Sequence, residues 1–297
     1  MKWRNLRIYL VDTNPGNIQA GVQGNPTTRL KFLLSFYYYR KVDLEQAFGN
    51  PRPQLMADSG AFSALTLGAP IDINEYALWI KRWEPLLETY ANLDVIGNAG
   101  ATLDNQHRLE DMGLHPLPVF HVNEPWEYLE HYLEKYNYIA LGGLVGVNRM
   151  KGMMPWLVKA FRMLRPGQYY HGFGLTSWPM LAGLPWGSVD SSSWGSGYRY
   201  GSMPVFSMRL GKFVYVRLGD ASSCFRWRHL FALHGFHWQD FGDRSRYDQS
   251  KVIKVSATAY MKAEDWLTQR HNSPSSIYLA GLGTSDLDNV KGVLPHV

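Results

Sequence analysis

The chain has one cysteine, Cys224, in 297 residues. That excludes an internal disulfide, a Cys-x-x-Cys metal site and the cross-linked framework of a small secreted domain. Long apolar runs are missing too. No stretch of about 18 uninterrupted apolar residues suggests a membrane span, and "MKWRNLRIYL" lacks the apolar segment of a signal peptide. The expectation is a soluble protein of a reducing cytoplasm that makes no membrane contact. There is no internal repeat, no low-complexity tract and no glycine-rich dinucleotide fingerprint after the first apolar run.

What is present is aromatic and unevenly charged. Aromatic residues make up 14% of the chain, with 11 Trp and 18 Tyr, enough for stacking surfaces as well as core. The net charge of +5 is concentrated in residues 195–254, where ten Lys/Arg stand against four acids and the rest of the chain is near neutral. Arg199, Arg209, Lys212, Arg217, Arg226, Arg228, Arg244 and Arg246 alternate there with Tyr, Phe and Trp, a composition suited to tracking a phosphate backbone and equally to a solvated surface.

Eight short apolar runs read as strands: 6–11, 30–36, 55–58, 93–97, 117–121, 138–142, 170–174 and 187–190. Segments 71–91, 104–114, 125–136 and 154–165 carry apolar residues at helical spacing. Such alternation predicts a parallel sheet with helical crossovers, and eight strands favour a TIM-like (β/α)8 barrel over an open sheet. Residues 1–194 form the expected barrel core. Residues 195–249 read as a basic, aromatic, β-rich insertion with a hairpin over 205–220 turning near Gly211, and 250–297 as a final helix and tail completing the barrel.

In a parallel barrel, chemistry sits at the C-terminal strand ends. Those ends offer Asp12, Asp58, Asp94 to Asn98, His121, Gly142, Gly143, His171 to Gly174 (Gly172 among them) and Asp190. Asp58 in "DSGAF" and Asp190 in "VDSSSW" are two carboxylates from separate strands, the pair needed for exchange at a glycosidic carbon: one attacks, the other moves a proton. Either is equally a helix cap. In "ALGGLVG" the glycines free backbone groups for a planar ligand, or simply make a tight strand exit. Phe62 is placed to stack on such a ring, and Asp94 to accept its N–H groups. His229, His234 and His237 cluster without any recognised metal spacing, so no metal site is expected.

"DSGAF", "ALGGLVG", "YYHGFG" and "VDSSSW", in that order, resemble the tRNA-guanine transglycosylases, which exchange guanine for a 7-deazaguanine. The resemblance spans residues 53–194. It implies that Asp58 is the acid/base and Asp190 the covalent nucleophile. Ser59, Gly60, Phe62, Asp94, Asn98, His121, Gly142, Gly143, Leu144, His171 and Gly172 then surround the base. Two departures matter. The family's structural zinc site of three Cys and one His cannot be built from one cysteine, and the segment after Asp190 differs. Both are similar to the branch, found in phages and bacterial modification clusters, that inserts deazaguanines into DNA. The resemblance therefore implies DNA as partner, tRNA as the alternative, a base such as 7-cyano-7-deazaguanine, no cofactor, and a host-cytoplasm setting if the chain is phage-encoded. A nucleic-acid-binding barrel without catalysis is the rival of another class; a glycoside hydrolase fits "LGGLVG" less well.

Overall fold

Alternation along each strand decides the architecture. The computed structural model describes residues 6–272 except 13, 23–29, 49–51, 145–149, 176, 244, 246 and 247. Eight strands of at most five residues pair in parallel: β1 (Arg7–Val11), β2 (Lys31–Ser35), β3 (Gln54–Asp58), β4 (Leu87–Tyr90), β5 (Val119–His121), β6 (Tyr138–Gly142), β7 (Tyr169–Gly172) and β8 (Ser188–Ser191). Their order is β4-β3-β2-β1-β8-β7-β6-β5. Helix α1 (Pro15–Val22) follows β1, α2 (Phe36–Tyr39) and α3 (Leu44–Phe48) follow β2, and α4 (Ala61–Thr66) and α5 (Ile73–Trp83) follow β3. Then α6 (Ala99–Asp111), α7 (Trp126–Lys135), α8 (Met150–Arg162) and α9 (Trp178–Gly183) follow β4 to β7 in turn.

The sheet is curled, and no ladder joins its edge strands β4 and β5 among the described residues. One isolated parallel bridge, Ala91 with Leu117, spans the gap. Leu117 N–H donates to Tyr90 O at 2.7 Å and Asn92 N–H to Leu117 O at 2.9 Å. The structure is thus an eight-stranded parallel α/β sheet flanked by helices, compatible with the expected TIM-like arrangement, but the expected barrel is not closed among the described residues.

Side chains alternate between two cores. Ile8, Leu10, Phe32, Leu34, Leu55, Ala57, Phe120, Ile139, Leu141, Tyr170 and Val189 face the helices. Tyr9, Leu33, Met56, Val119 and Ala140 form a smaller inner cluster. Asp58, His121, Gly142, His171 and Asp190 share the parity of the inner set, so the two-residue period turns them inward. The common strand direction gathers them at one end.

Three expected elements are displaced. Segment 71–91 is not one helix. Asp72 caps α5 by accepting the N–H groups of Asn74 at 2.7 Å and Glu75 at 3.0 Å, and Ile73, Tyr76, Ala77 and Ile80 bury its inner face. Pro85 cannot continue the helix, so a short 3-10 turn, Glu84–Leu86, leads directly into β4. The strand expected at 93–97 therefore lies at Leu87–Tyr90, and 93–97 is the loop that brings Asp94 to the mouth. Helix α6 likewise starts before residue 104, because Asn98 caps it through Ala101 N–H at 3.0 Å.

Beyond β8 come α10 (Ser196–Tyr200), the antiparallel pair β9 (Ser202–Ser207) and β10 (Lys212–Arg217), α11 (Ala221–Arg226), α12 (Arg228–Leu233) and α13 (Gln249–Asn272). The hairpin turns at Gly211, φ +59°, as its sequence implied. Met203, Val205, Val214, Val216, Phe231 and Phe241 form a separate core against Val252 and Val255 of α13. The other face of α13 packs on α1 and β1. Among the described residues no helix is long and apolar enough to cross a membrane.

Candidate active site

Asp58 closes β3 and the chain turns at once. Gly60 has φ +79°, and a side chain there would run into Tyr37 Cβ at 2.7 Å and into Ser35 Oγ, so only glycine serves. The turn aims Gly60 N–H at Asp58 Oδ2, 3.0 Å away. Gly60, not Asp58, is the N-cap of α4, and Ser59 Oγ accepts the N–H of Ala61 in its first turn at 3.2 Å. The Asp58 carboxyl is thus not spent on capping the helix. Desolvation, then the negative charges of Asp94 and Asp190, push its pKa up to about 7 against the two N–H groups of Gly60 and Ser59.

Asp94 is held by protein on both oxygens. Ser59 Oγ donates to Oδ1 at 3.1 Å, and His121 Nε2 lies 2.9 Å from Oδ2. The other ring nitrogen, Nδ1, lies 3.2 Å from Glu124 Oε1, while Glu124 Oε2 accepts His121 N–H at 2.8 Å. Burial opposes a charge on this imidazole, but the bonds and charges of Asp94 and Glu124 outweigh it and raise its pKa to about 9. His121 is therefore an imidazolium clamped between two carboxylates at neutral pH. Sequence reasoning found Asp94 and His121 but missed Glu124; its one signal was a Glu three residues past a strand-end His, across a turn with Asn123 at φ +74°.

Asp190 is buried in β8. Its Oδ1 accepts Gly174 N–H at 2.9 Å and lies 3.2 Å from His171 Nε2. Its Oδ2 makes no hydrogen bond to a described residue. Behind it, His171 Nδ1 lies 2.6 Å from Ser188 Oγ, which is bonded in turn to the Tyr138 hydroxyl. One donor direction satisfies every atom: Tyr138 O–H to Ser188, Ser188 O–H to His171 Nδ1, His171 Nε2–H to Asp190. His171 thus backs the carboxylate instead of lining the mouth. Ser188 and Tyr138 were not expected, being ordinary strand residues by sequence.

The remaining candidates separate. Gly142 makes room for protein: a Cβ there would overlap the His121 ring, and its carbonyl accepts Val122 N–H at 3.2 Å. Its expected role as bare backbone for a ligand is corrected accordingly. Gly143 has φ +75°, Leu144 is buried, and Gly172 accommodates the Trp186 ring. Phe62, on the first turn of α4, is 69% exposed and available to a ligand or partner. Asn98 is committed to its cap. Asp12 is tied to Asn14, Asn17 and the Tyr198 hydroxyl. A cavity of about 400 Å³ opens beside Asp94, lined also by Asn105 and, among other mostly apolar residues, Ala61, Ala64, Leu65, Leu93 and Ile96.

Of the basic residues, Arg199, Arg209, Lys212, Arg217, Arg226 and Arg228 are all exposed. Arg226 lies over the Trp227 ring and Arg228 over Phe225; Arg244 and Arg246 lie outside the described residues. His234 is buried, with Nδ1 2.7 Å from Leu230 O, and desolvation lowers its pKa to about 4. Among the described residues no group of three or more His, Cys, Asp or Glu is arranged to hold a metal ion. No protein-family model and no curated protein sequence matches the chain.

Proposed function

We propose that this chain is a base-exchanging transglycosylase on a TIM-like barrel scaffold, replacing guanine in DNA by a 7-deazaguanine. The observation that carries the reading is a division of labour between two inward carboxyls. Asp58 keeps a proton up to about pH 7. Asp190 sits at the end of a directed donor chain, with one oxygen unbonded among the described residues. One inward carboxyl that holds a proton and a second that accepts its donors on a single oxygen are the arrangement that acid and nucleophile require.

In the proposed reaction Asp190 Oδ2 attacks C1′ of a deoxyguanosine. The C1′–N9 bond breaks, its electron pair leaves with the purine, and the purine takes the Asp58 proton. The Asp58 carboxylate then accepts the N9 proton of the incoming deazaguanine, whose nitrogen attacks C1′ and expels Asp190. The apolar cavity bordered by Asp94 has the size and lining for a flat heterocycle. Phe62, exposed on the helix that gives the cavity Ala61, Ala64 and Leu65, offers a ring face. The target base must leave the stack, at a cost of a few kcal/mol that backbone contacts offset.

The test is incubation with radiolabelled guanine and either duplex DNA or tRNA. Label entering DNA, with a denaturation-resistant protein–DNA adduct that disappears in Asp190→Ala, is the expected result. Label entering tRNA alone moves the reading to an RNA substrate. Exchange that survives Asp190→Ala sinks the mechanism, and salt-dependent DNA binding with no exchange favours the non-catalytic barrel.

A further inference from the structure

An open cavity of about 840 Å³ lies where α10 meets the β9–β10 hairpin, lined by Arg199, Tyr200, Tyr215, Arg217 and Ser223 among others. We propose that it is a phosphodiester subsite that grips the polynucleotide strand next to the nucleotide whose glycosidic bond is cut. It rests on the transglycosylase reading only for what happens at that neighbouring nucleotide.

The lining chemistry selects an anion. Two guanidinium groups face one cavity, and no described carboxylate pairs with either. Arginine forks match phosphate oxygens in a way point charges do not. Arg199 is already oriented: it donates to the carbonyls of Gly195 and Ser192 and sits 5.8 Å from the ring centres of both Tyr198 and Tyr200. Arg217 projects from β10 on the same side as Tyr215, two residues earlier. Val214 and Val216 turn the other way into the hairpin core. Tyr200 is 78% exposed and Tyr215 52%. Exposed rings flanking arginines suit a base stacked beside its own phosphate.

The connections place this cavity beside the mouth. Arg199 bonds to the carbonyl of Ser192, two residues past Asp190. Tyr198 bonds to Asp12, directly after β1, and β1 pairs with β8 at Tyr9 and Asp190. A strand whose nucleotide reaches Asp190 therefore passes the arginines within a short stretch of backbone.

Fluorescence anisotropy with a labelled single-stranded oligodeoxynucleotide, titrated from 50 to 300 mM salt, tests the subsite. Arg217→Gln is the main variant because its side chain is exposed; Arg199→Gln supplements it, and Arg162→Gln on α8 is the control. Arg217→Gln is expected to weaken binding about tenfold and to lower the salt slope by about one, while Tyr215→Ser weakens binding about tenfold with the slope unchanged. Slopes and affinities equal to wild type in Arg217→Gln and Arg199→Gln overturn the subsite. So does an equal loss in the control. An oligoribonucleotide and a duplex, run alongside, identify which polymer uses the site; a loss confined to a mononucleotide phosphate overturns the polymer assignment. Base exchange is measured on the same proteins. DNA binding that depends on Arg217 without any exchange refutes the transglycosylase reading and leaves the subsite standing. Exchange with an unchanged KM for DNA in Arg217→Gln does the reverse.

Discussion

Replacing Asp58 by Asn should make the protein more stable at alkaline pH while abolishing the proposed base exchange. In the folded chain Asp58 releases its proton only near pH 7, against an ordinary value of 3.8. The unfolded chain therefore ionises first as pH rises. Wild-type stability falls between about pH 4 and 7 and is level above, whereas the Asn variant has no such loss. A gap of about three in pKa, at 1.36 kcal/mol each, sets an upper bound of about 4 kcal/mol. Asp58 retains some contact with water, which screens part of this and leaves about 2 kcal/mol. Asparagine keeps an oxygen for Gly60 N–H, so the turn survives the change. Urea unfolding of both proteins at pH 4, 6 and 8.5 measures the difference. The variant should match wild type at pH 4, exceed it by about 2 kcal/mol at pH 8.5, and exchange no base. A difference that is constant with pH, or a variant less stable at pH 8.5, would refute the placement of Asp58 among carboxylates in a desolvated pocket.

His121 titrates in a separate window. Its pKa is raised from 6.5 to about 9, so its contribution to stability is complete below pH 6.5 and lost as pH rises through about 9; thermal midpoints of His121→Gln should lack the drop between pH 6 and 9.5 that wild type shows. Gly142→Ala should cost about 2 kcal/mol in urea unfolding, since the added methyl overlaps the His121 ring; a neutral result refutes that contact. Tyr138→Phe removes the donor at the head of the chain to Asp190. It should slow covalent adduct formation about tenfold, about 1.4 kcal/mol in barrier, with KM for DNA unchanged.

Much of the scaffold was legible because short apolar runs and the common direction of parallel strands are local properties. They placed Asp58 and Asp190 at the C-terminal strand ends from sequence alone. β4 was missed because "LETY" continues a helical pattern, and only Pro85, within that pattern, marks the stop. The side-chain partners were not legible. Glu124, Ser188 and Tyr138 act through bonds to residues on the same turn or on other strands, and their own sequence surroundings carry no trace of this. Gly142 shows the opposite failure. A glycine beside a candidate site reads as space for a ligand, and here the space is filled by a histidine whose strand partner it is.

The seam between β4 and β5 gives the Asp94–His121 pair a second meaning. Asp94 lies four residues past β4 and His121 ends β5, so their contact crosses the sheet where one isolated bridge replaces a ladder. The charge pair is a clasp on the weakest joint of the wall. A ligand that draws Asp94 toward itself competes with His121 for that carboxylate and loosens the clasp. Occupancy of the site and breathing of the sheet are then coupled, and the amides of Asn92 and Leu117 are where that breathing would register in hydrogen exchange.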